Sequence, residues 1–166
     1  MTASLYFFIF IELLIVGYGD VKTRKVPNFW VLFNILLFCF FLFFFPQYFV
    51  LTWDTFSYAS LFLVLGFILF LLKIMGGGDS KFLFSFFLIV PLSLHDQVFA
   101  HLLLSTLLIG TAVLIYNIIE NFQTIVQGVI AGDIVKLKKC FGSKFAFIPV
   151  IFMAWLWLGW ENKFFL

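Results

Sequence analysis

Long apolar runs, separated by short polar breaks, make up most of this chain. A helix needs about 20 residues to cross the roughly 30 Å hydrocarbon layer of a bilayer, because each residue rises about 1.5 Å. Six runs come near that length, and they cover residues 3–19, 29–45, 56–75, 80–94, 98–119 and 145–160. The fourth is the shortest and contains Pro91. The pattern therefore predicts an all-α, polytopic membrane protein with about six transmembrane helices.

Residues 120–143 interrupt this pattern, because polar residues and lysines surround a moderately apolar patch at 125–135. A helix with one apolar and one basic face lies in the membrane interface instead of crossing it. We therefore expect a short cytoplasmic amphipathic segment before the last transmembrane helix. The chain has no repeat or linker, so residues 1–166 are expected to form a single transmembrane domain.

The composition supports a protein of the lipid bilayer. Of the 166 residues, 64% are hydrophobic and 11% are charged, whereas soluble domains have roughly 45–50% apolar and about 25% charged residues. No basic cluster suits a nucleic acid, so no nucleic-acid partner is expected. Cys39 and Cys140 do not have the spacing of metal ligands, and we expect neither a metal nor another cofactor.

Lysine and arginine fall almost entirely in three of the polar breaks. Nine of the ten lie in residues 20–28, 73–81 and 120–144, which alternating helices place on one side of the membrane. The positive-inside rule makes this the cytoplasmic side, so both termini are predicted to be external in a multi-pass protein of the inner (cytoplasmic) membrane. The first run lacks the basic start and cleavage site of a signal peptide and is expected to remain as a helix.

Two aspartates end apolar runs on this predicted cytoplasmic face. Asp20 follows the first helix, where the helix carbonyls disfavour a carboxylate; a solvated pair with a nearby cation is the alternative explanation. Asp79 follows Gly76-Gly77-Gly78, and Asp is also a preferred N-cap for the next helix. The glycines permit close approach of another chain, although a plain turn between helices would also use them.

Two carboxylates that meet in a site of low dielectric share one proton, because both cannot ionise cheaply. The ionised partner can then activate a water molecule, while the protonated partner polarises a peptide carbonyl. The pattern therefore indicates an aspartic-type protease, provided that Asp20 and Asp79 come together.

Two segments of the chain, taken together, resemble a known family. They are Asp20 with the following Lys22-Thr23-Arg24-Lys25-Val26-Pro27-Asn28, and Gly76-Gly77-Gly78-Asp79-Ser80-Lys81. They are similar to the signature regions of the type IV prepilin peptidases and the archaeal preflagellin peptidases, which are GxGD membrane aspartyl proteases. Phe147-Ile148-Pro149 is similar to the family too, but is less diagnostic. With the six predicted spans, the resemblance covers nearly the whole chain.

The resemblance implies an aspartic-type endopeptidase with Asp20 and Asp79 as its catalytic pair. The residues expected to bind or support the substrate are Gly76, Gly77, Gly78, Lys81, Pro27 and Asn28. The implied substrate is a prepilin-like protein with a short basic leader in the cytoplasm and an apolar helix in the membrane. Because the 20–28 loop lacks the cysteine-rich insertion of the bifunctional members, the chain resembles the short, peptidase-only forms that serve Tad/Flp-type pili.

Two other functions are compatible with the same residues. A proton-coupled membrane carrier would use Glu12, Asp20 and Asp79 as a proton relay, and a catalytically inactive pilus-assembly protein would only bind partners. Glu12 is expected to pack against Asn34 or Asn117 inside the bundle. The substrate, its cleavage site, the pilus system and the oligomeric state are left open.

Overall fold

The computed structural model describes residues 3–71, 75–132 and 146–164. Every regular element in these ranges is helical, which confirms the predicted all-α class for the described parts of the chain. A short 3₁₀ turn, Leu92–Leu94, precedes the fifth helix. The helices are α1 (Ala3–Thr23), α2 (Asn28–Phe44), α3 (Trp53–Leu71), α4 (Gly77–Ile89), α5 (His95–Glu120), α6 (Phe122–Ala131) and α7 (Ile148–Glu161).

Within the described ranges, three stretches are long and apolar enough to cross a membrane: Ala3–Thr23, Trp53–Leu71 and Leu92–Glu120. The helices α2 and α7 are apolar but shorter. Helix α4 has 13 residues, or about 20 Å at about 1.5 Å per residue, which is less than a bilayer thickness. The apolar helices fit a membrane protein, and the number of six transmembrane helices stays a prediction.

Helix α4 lies at the centre of one half of the bundle, between α2 and α3. From Phe82 to Ile89, every residue of α4 except Phe84 is buried. This stretch is apolar on nearly all sides because almost all of it packs inside the bundle. The amide of Asn34 in α2 donates a hydrogen bond of 3.4 Å to the Ser85 hydroxyl in α4, so a polar contact also joins these two helices.

Helix α7 packs against α1 and α5. Near its far end, the Tyr6 hydroxyl donates to the Trp155 carbonyl at 3.1 Å, and the Trp155 indole N–H donates to the Tyr6 carbonyl at 3.2 Å. At the same end, His101 contacts Glu161 at 2.7 Å, and the Tyr58 hydroxyl bonds to Asp96. These contacts hold one end of the bundle together, while the two predicted catalytic residues lie at the other end.

The predicted amphipathic segment is described only in part. Helix α6 separates its apolar and polar residues onto two faces more strongly than any other described helix. This agrees with an interfacial helix over the first part of residues 120–143. The lysine-rich remainder lies outside the described residues.

Candidate active site

The loop between α1 and α2 packs against the beginning of α4. A Cβ atom on Gly78 would lie 2.7 Å from the carbonyl oxygen of Val26, so only glycine allows the two backbones to come this close. Gly77 and Gly78 belong to the first turn of α4, not to a turn before the helix. At Gly78, the glycine run therefore permits a close approach between two parts of the same chain.

A left-handed residue ends α1 and turns the chain into this loop. Arg24 has φ 52°, and its N–H donates to the Asp20 carbonyl at 2.7 Å. This is the αL type of helix C-cap, which ordinarily uses glycine or asparagine. The chain thus leaves α1 in the direction that brings Val26 onto Gly78.

Asp79 lies at the third position of α4, one turn after the N-cap Gly76. Its carboxylate Oδ2 accepts a hydrogen bond from the Gly76 N–H at 3.2 Å, and the Asp79 N–H donates to the Gly76 carbonyl at 3.2 Å. The expected capping role is therefore filled from the N3 position and not from the N-cap. A carboxylate is favourable there, because the first turn of a helix carries a partial positive charge.

Asp20 lies in the last turn of α1, not after it, and is 2% exposed. Its Oδ2 accepts a hydrogen bond of 3.1 Å from the backbone N–H of Ile148, the first residue of α7. In the described ranges it forms no ion pair with the neighbouring cations Lys22, Arg24 or Lys25. The N-terminus of α7 therefore supplies the positive environment that the end of α1 lacks.

The two carboxylates affect each other electrostatically. Asp79 belongs to α4, which is not one of the described stretches that are long enough to cross a membrane. Burial, followed by the nearby charge of Asp20, raises the pKa of Asp79 from 3.8 to about 6, and the bond from Gly76 opposes the shift. Asp20 and Asp79 are thus brought to the same end of the bundle, from helices that are far apart in the chain.

A cavity of about 910 Å³ opens beside Asp79. The predicted site residues that line it are Pro27, Asn28, Gly76, Gly77, Gly78 and Asp79. Arg24 and Lys25 make its wall basic, and Phe70 and Met75 contribute apolar surface. Asp20 lies behind this lining, against α7. The cavity is large enough for several residues of a peptide, since ligand sites usually have about 300–1,000 Å³.

Lys81 and Glu12 lie away from this cavity. Lys81 lines a neighbouring groove and, among the described residues, forms no ion pair with Asp79. Glu12 is buried beside Asn34 in α2, which is one of its two expected neighbours, but neither carboxylate oxygen accepts a hydrogen bond of good geometry there. In the ranges that the structure describes, no three residues of the types His, Cys, Asp and Glu come together as metal ligands.

The sequence model of the type IV leader peptidase family matches residues 7–115. The chain belongs to the type IV leader peptidase family. This confirms the resemblance noted in the two motifs and indicates a protease of the leader peptidase kind, which fits prepilin-like substrates in a membrane. The matched range contains Asp20 and Asp79 and ends before α7. No curated protein and no solved structure matches the chain.

Sequence reasoning missed two parts of this candidate site. The residue pattern does not predict that the Ile148 N–H binds Asp20, although Phe147-Ile148-Pro149 is similar to the family. It also does not identify Phe70 and Met75 as cavity residues, because they are two apolar residues among many in their run.

Proposed function

We propose that this protein is a membrane aspartyl endopeptidase that removes the basic leader from type IV prepilin-like proteins at the cytoplasmic face of the inner membrane. The observation that carries the proposal is the placement of Asp79, which lines a large cavity and has its pKa raised by burial and by the charge of Asp20. Membership of the type IV leader peptidase family supports the reaction class.

In the proposed reaction, Asp79 and Asp20 share one proton. The ionised carboxylate takes a proton from a water molecule, and the water oxygen forms a bond to the scissile carbonyl carbon. The protonated carboxylate stabilises the oxygen of the tetrahedral intermediate and then donates its proton to the leaving amine as the C–N bond breaks. Because Asp20 lies behind the cavity lining, this reaction requires Asp20 to reach the same water once the substrate is bound.

The substrate would lie in an extended form across the beginning of α4. Gly76 and Gly77 carry no side chain between the cavity and the helix backbone, and Pro27 and Asn28 form part of the lining contributed by the loop. An extended peptide can pair with exposed backbone groups in this way. Arg24 and Lys25 would repel a basic leader. The neutral residues around the cleaved bond, and not the leader, would therefore lie in the cavity.

The test is leader removal by the purified protein reconstituted with a prepilin. Asp20→Asn and Asp79→Asn keep the side-chain shape and an oxygen that can accept the bonds from Ile148 and Gly76. Each should lower the rate by roughly 10³-fold or more, as expected for loss of a group that acts only in the transition state. Asp54→Asn, an exposed position in the first turn of α3, serves as the matched control and should retain activity.

Unchanged leader removal by both variants would contradict the catalytic pair. A wild-type protein that binds the prepilin but leaves its leader attached would favour the non-catalytic assembly role.

A further inference from the structure

A second cavity, a lateral groove of about 530 Å³, lies between α3 and α4. Its α3 wall is apolar and its α4 wall is partly polar. The side chains on α3 are well exposed, so the groove opens on the outer surface of the helices where lipid would lie. The walls consist of Leu63, Val64, Phe67 and Phe70 on one side, and Gly77, Ser80 and Lys81 on the other.

The lateral groove adjoins the cavity beside Asp79. Phe70 and Gly77 line both of them, and a Cβ on Gly77 would lie 3.4 Å from the Phe70 ring. Phe70 packed on Gly77 is therefore the wall that the two cavities share. A peptide that occupies both cavities has to displace the Phe70 ring from Gly77.

Ser80 belongs both to the wall of the lateral groove and to the crossing of α3 and α4. It is 4% exposed, and its Oγ has no hydrogen-bond partner among the described residues. Because a Cβ on Gly66 would lie 2.5 Å from this Oγ, the hydroxyl faces the helix crossing and does not open into the groove. The surface that the groove offers to a ligand is therefore mainly apolar.

We propose that the lateral groove binds the apolar helix of the substrate, while the bond to be cleaved lies in the adjoining cavity beside Asp79. This inference rests on the proposed peptidase function. The helix of a prepilin-like substrate stays in the bilayer, so it has to approach the site from the side. Helices associate in lipid largely through close packing, and the exposed apolar side chains of the groove offer a surface for it.

A lipid acyl chain is the competing occupant of an apolar groove that faces the membrane. A bound acyl chain would explain only why the α3 wall of the groove is apolar. The shared wall with the Asp79 cavity favours a peptide, because only a peptide has one part to place beside Asp79 and an apolar helix to place in the groove. Lys81 then lies at the substrate helix and not at the catalytic carboxylates.

A substitution that fills the lateral groove tests the proposal. Val64→Trp adds bulk at a position that lines the groove and is 58% exposed, so the bundle can accept it. Ile68→Trp, on the same helix, is 46% exposed and does not line the groove, and it is the matched control. Two substrates are compared: a basic leader joined to an apolar helix of about 20 residues, and a soluble peptide with the leader and the cleavage junction alone.

Val64→Trp should lower kcat/KM for the helix-bearing substrate by about 10-fold or more, mainly through KM, and leave the soluble peptide unaffected. Ile68→Trp should leave both unaffected. Unchanged cleavage of the helix-bearing substrate by Val64→Trp would overturn the proposal. If Val64→Trp lowers cleavage of both substrates, the crosslinking experiment described next decides whether the groove binds the substrate helix.

A photo-crosslinking residue at position 64 gives a readout that does not need cleavage. In the Asp79→Asn background, it should crosslink to the apolar helix of the substrate, whereas the same residue at position 68 should not. Crosslinks from position 64 to lipid alone would overturn the groove assignment. If the wild-type protein cleaves neither substrate but the crosslink forms, the peptidase proposal fails and the binding groove stands.

Discussion

The carboxylate of Asp20 accepts a hydrogen bond from the backbone N–H of Ile148, a residue 128 positions later in the chain. The contact joins the last turn of α1 to the first residue of α7. A carboxylate at the end of α1 is unfavourable for that helix, but it is favourable for the N-terminus of α7. Asp20 thus has a structural role in addition to its proposed catalytic one, and the two roles can be separated experimentally.

The first prediction separates those roles. Asp20→Asn keeps an oxygen that can accept the Ile148 bond, whereas Asp20→Ala removes it. We expect Asp20→Ala to be less stable than Asp20→Asn by about 1 kcal/mol, as for loss of a helix cap, while both lack peptidase activity. Thermal unfolding in one detergent measures the difference, and equal stability of the two variants would show that α7 does not depend on this bond.

The second prediction concerns the contact between the loop and α4. Gly78→Ala places a methyl group 2.7 Å from the Val26 carbonyl oxygen, and a backbone atom cannot turn aside as a side chain can. We expect a loss of about 1–3 kcal/mol in stability and a marked loss of leader removal. Gly77→Ala is the matched control for stability, because the nearest atoms to its methyl group belong to the Phe70 ring at 3.4 Å, an ordinary contact distance. Equal stability of the two variants would argue against the close approach.

The third prediction tests the crossing of α3 and α4. A Cβ on Gly66 would lie 2.5 Å from the Ser80 Cβ, so Gly66→Ala should push the helices apart and destabilise the protein by about 1–3 kcal/mol. The clash involves both the Cβ and the Oγ of Ser80 at 2.5 Å, so Ser80→Gly should relieve most of it and leave only the Ser80 Cα at 3.0 Å. The double variant Gly66→Ala/Ser80→Gly should therefore be more stable than the sum of the single changes predicts, which unfolding measurements on all three variants can establish.

The fourth prediction concerns pH. The pKa of Asp79 rises on folding from 3.8 to about 6, so between these values the folded protein binds more protons than the unfolded chain. The contribution of Asp79 to stability should consequently fall as the pH rises from about 4 to about 6. Asp79→Asn should remove this fall and be the more stable protein at neutral pH, as unfolding between pH 4 and pH 8 would reveal.

The proposed chemistry adds an activity readout to the same titration. If Asp79 carries the shared proton, leader removal should decline as the pH rises through about 6, because the proton for the leaving amine is lost. Activity that keeps rising well above that pH would contradict this role for Asp79.

Much of the architecture could be predicted from local sequence. The apolar runs located α1, α2, α3 and α5 to within a few residues, because hydrophobic length and polar breaks are local properties. The fourth run was correctly expected to be short, but it begins at Gly77 and not at Ser80. The predicted run leaves the glycines out because glycine disfavours helix interiors, whereas Gly77 and Gly78 form the first turn of α4, and Gly78 packs closely against Val26.

The candidate site residues also divide into those that local sequence identifies and those whose placement depends on tertiary packing. Asp20, Asp79 and the glycines were identifiable because they form short motifs, and the family match now covers both carboxylates. Lys81 belonged to the same motif but lines the lateral groove. Its direction depends on how α4 is rotated against α3, and a motif does not contain that information.

By itself, the sequence determined that this protein is helical and apolar, that it belongs to a peptidase family, and which carboxylates are candidates for its chemistry. All of these follow from residue types and from spacings along the chain. Only the tertiary structure decided that Asp20 binds α7, that Val26 meets Gly78, and that Phe70 separates a polar cavity from an apolar groove. The physical reason is that these contacts join residues from different helices, and their formation depends on how the whole bundle packs.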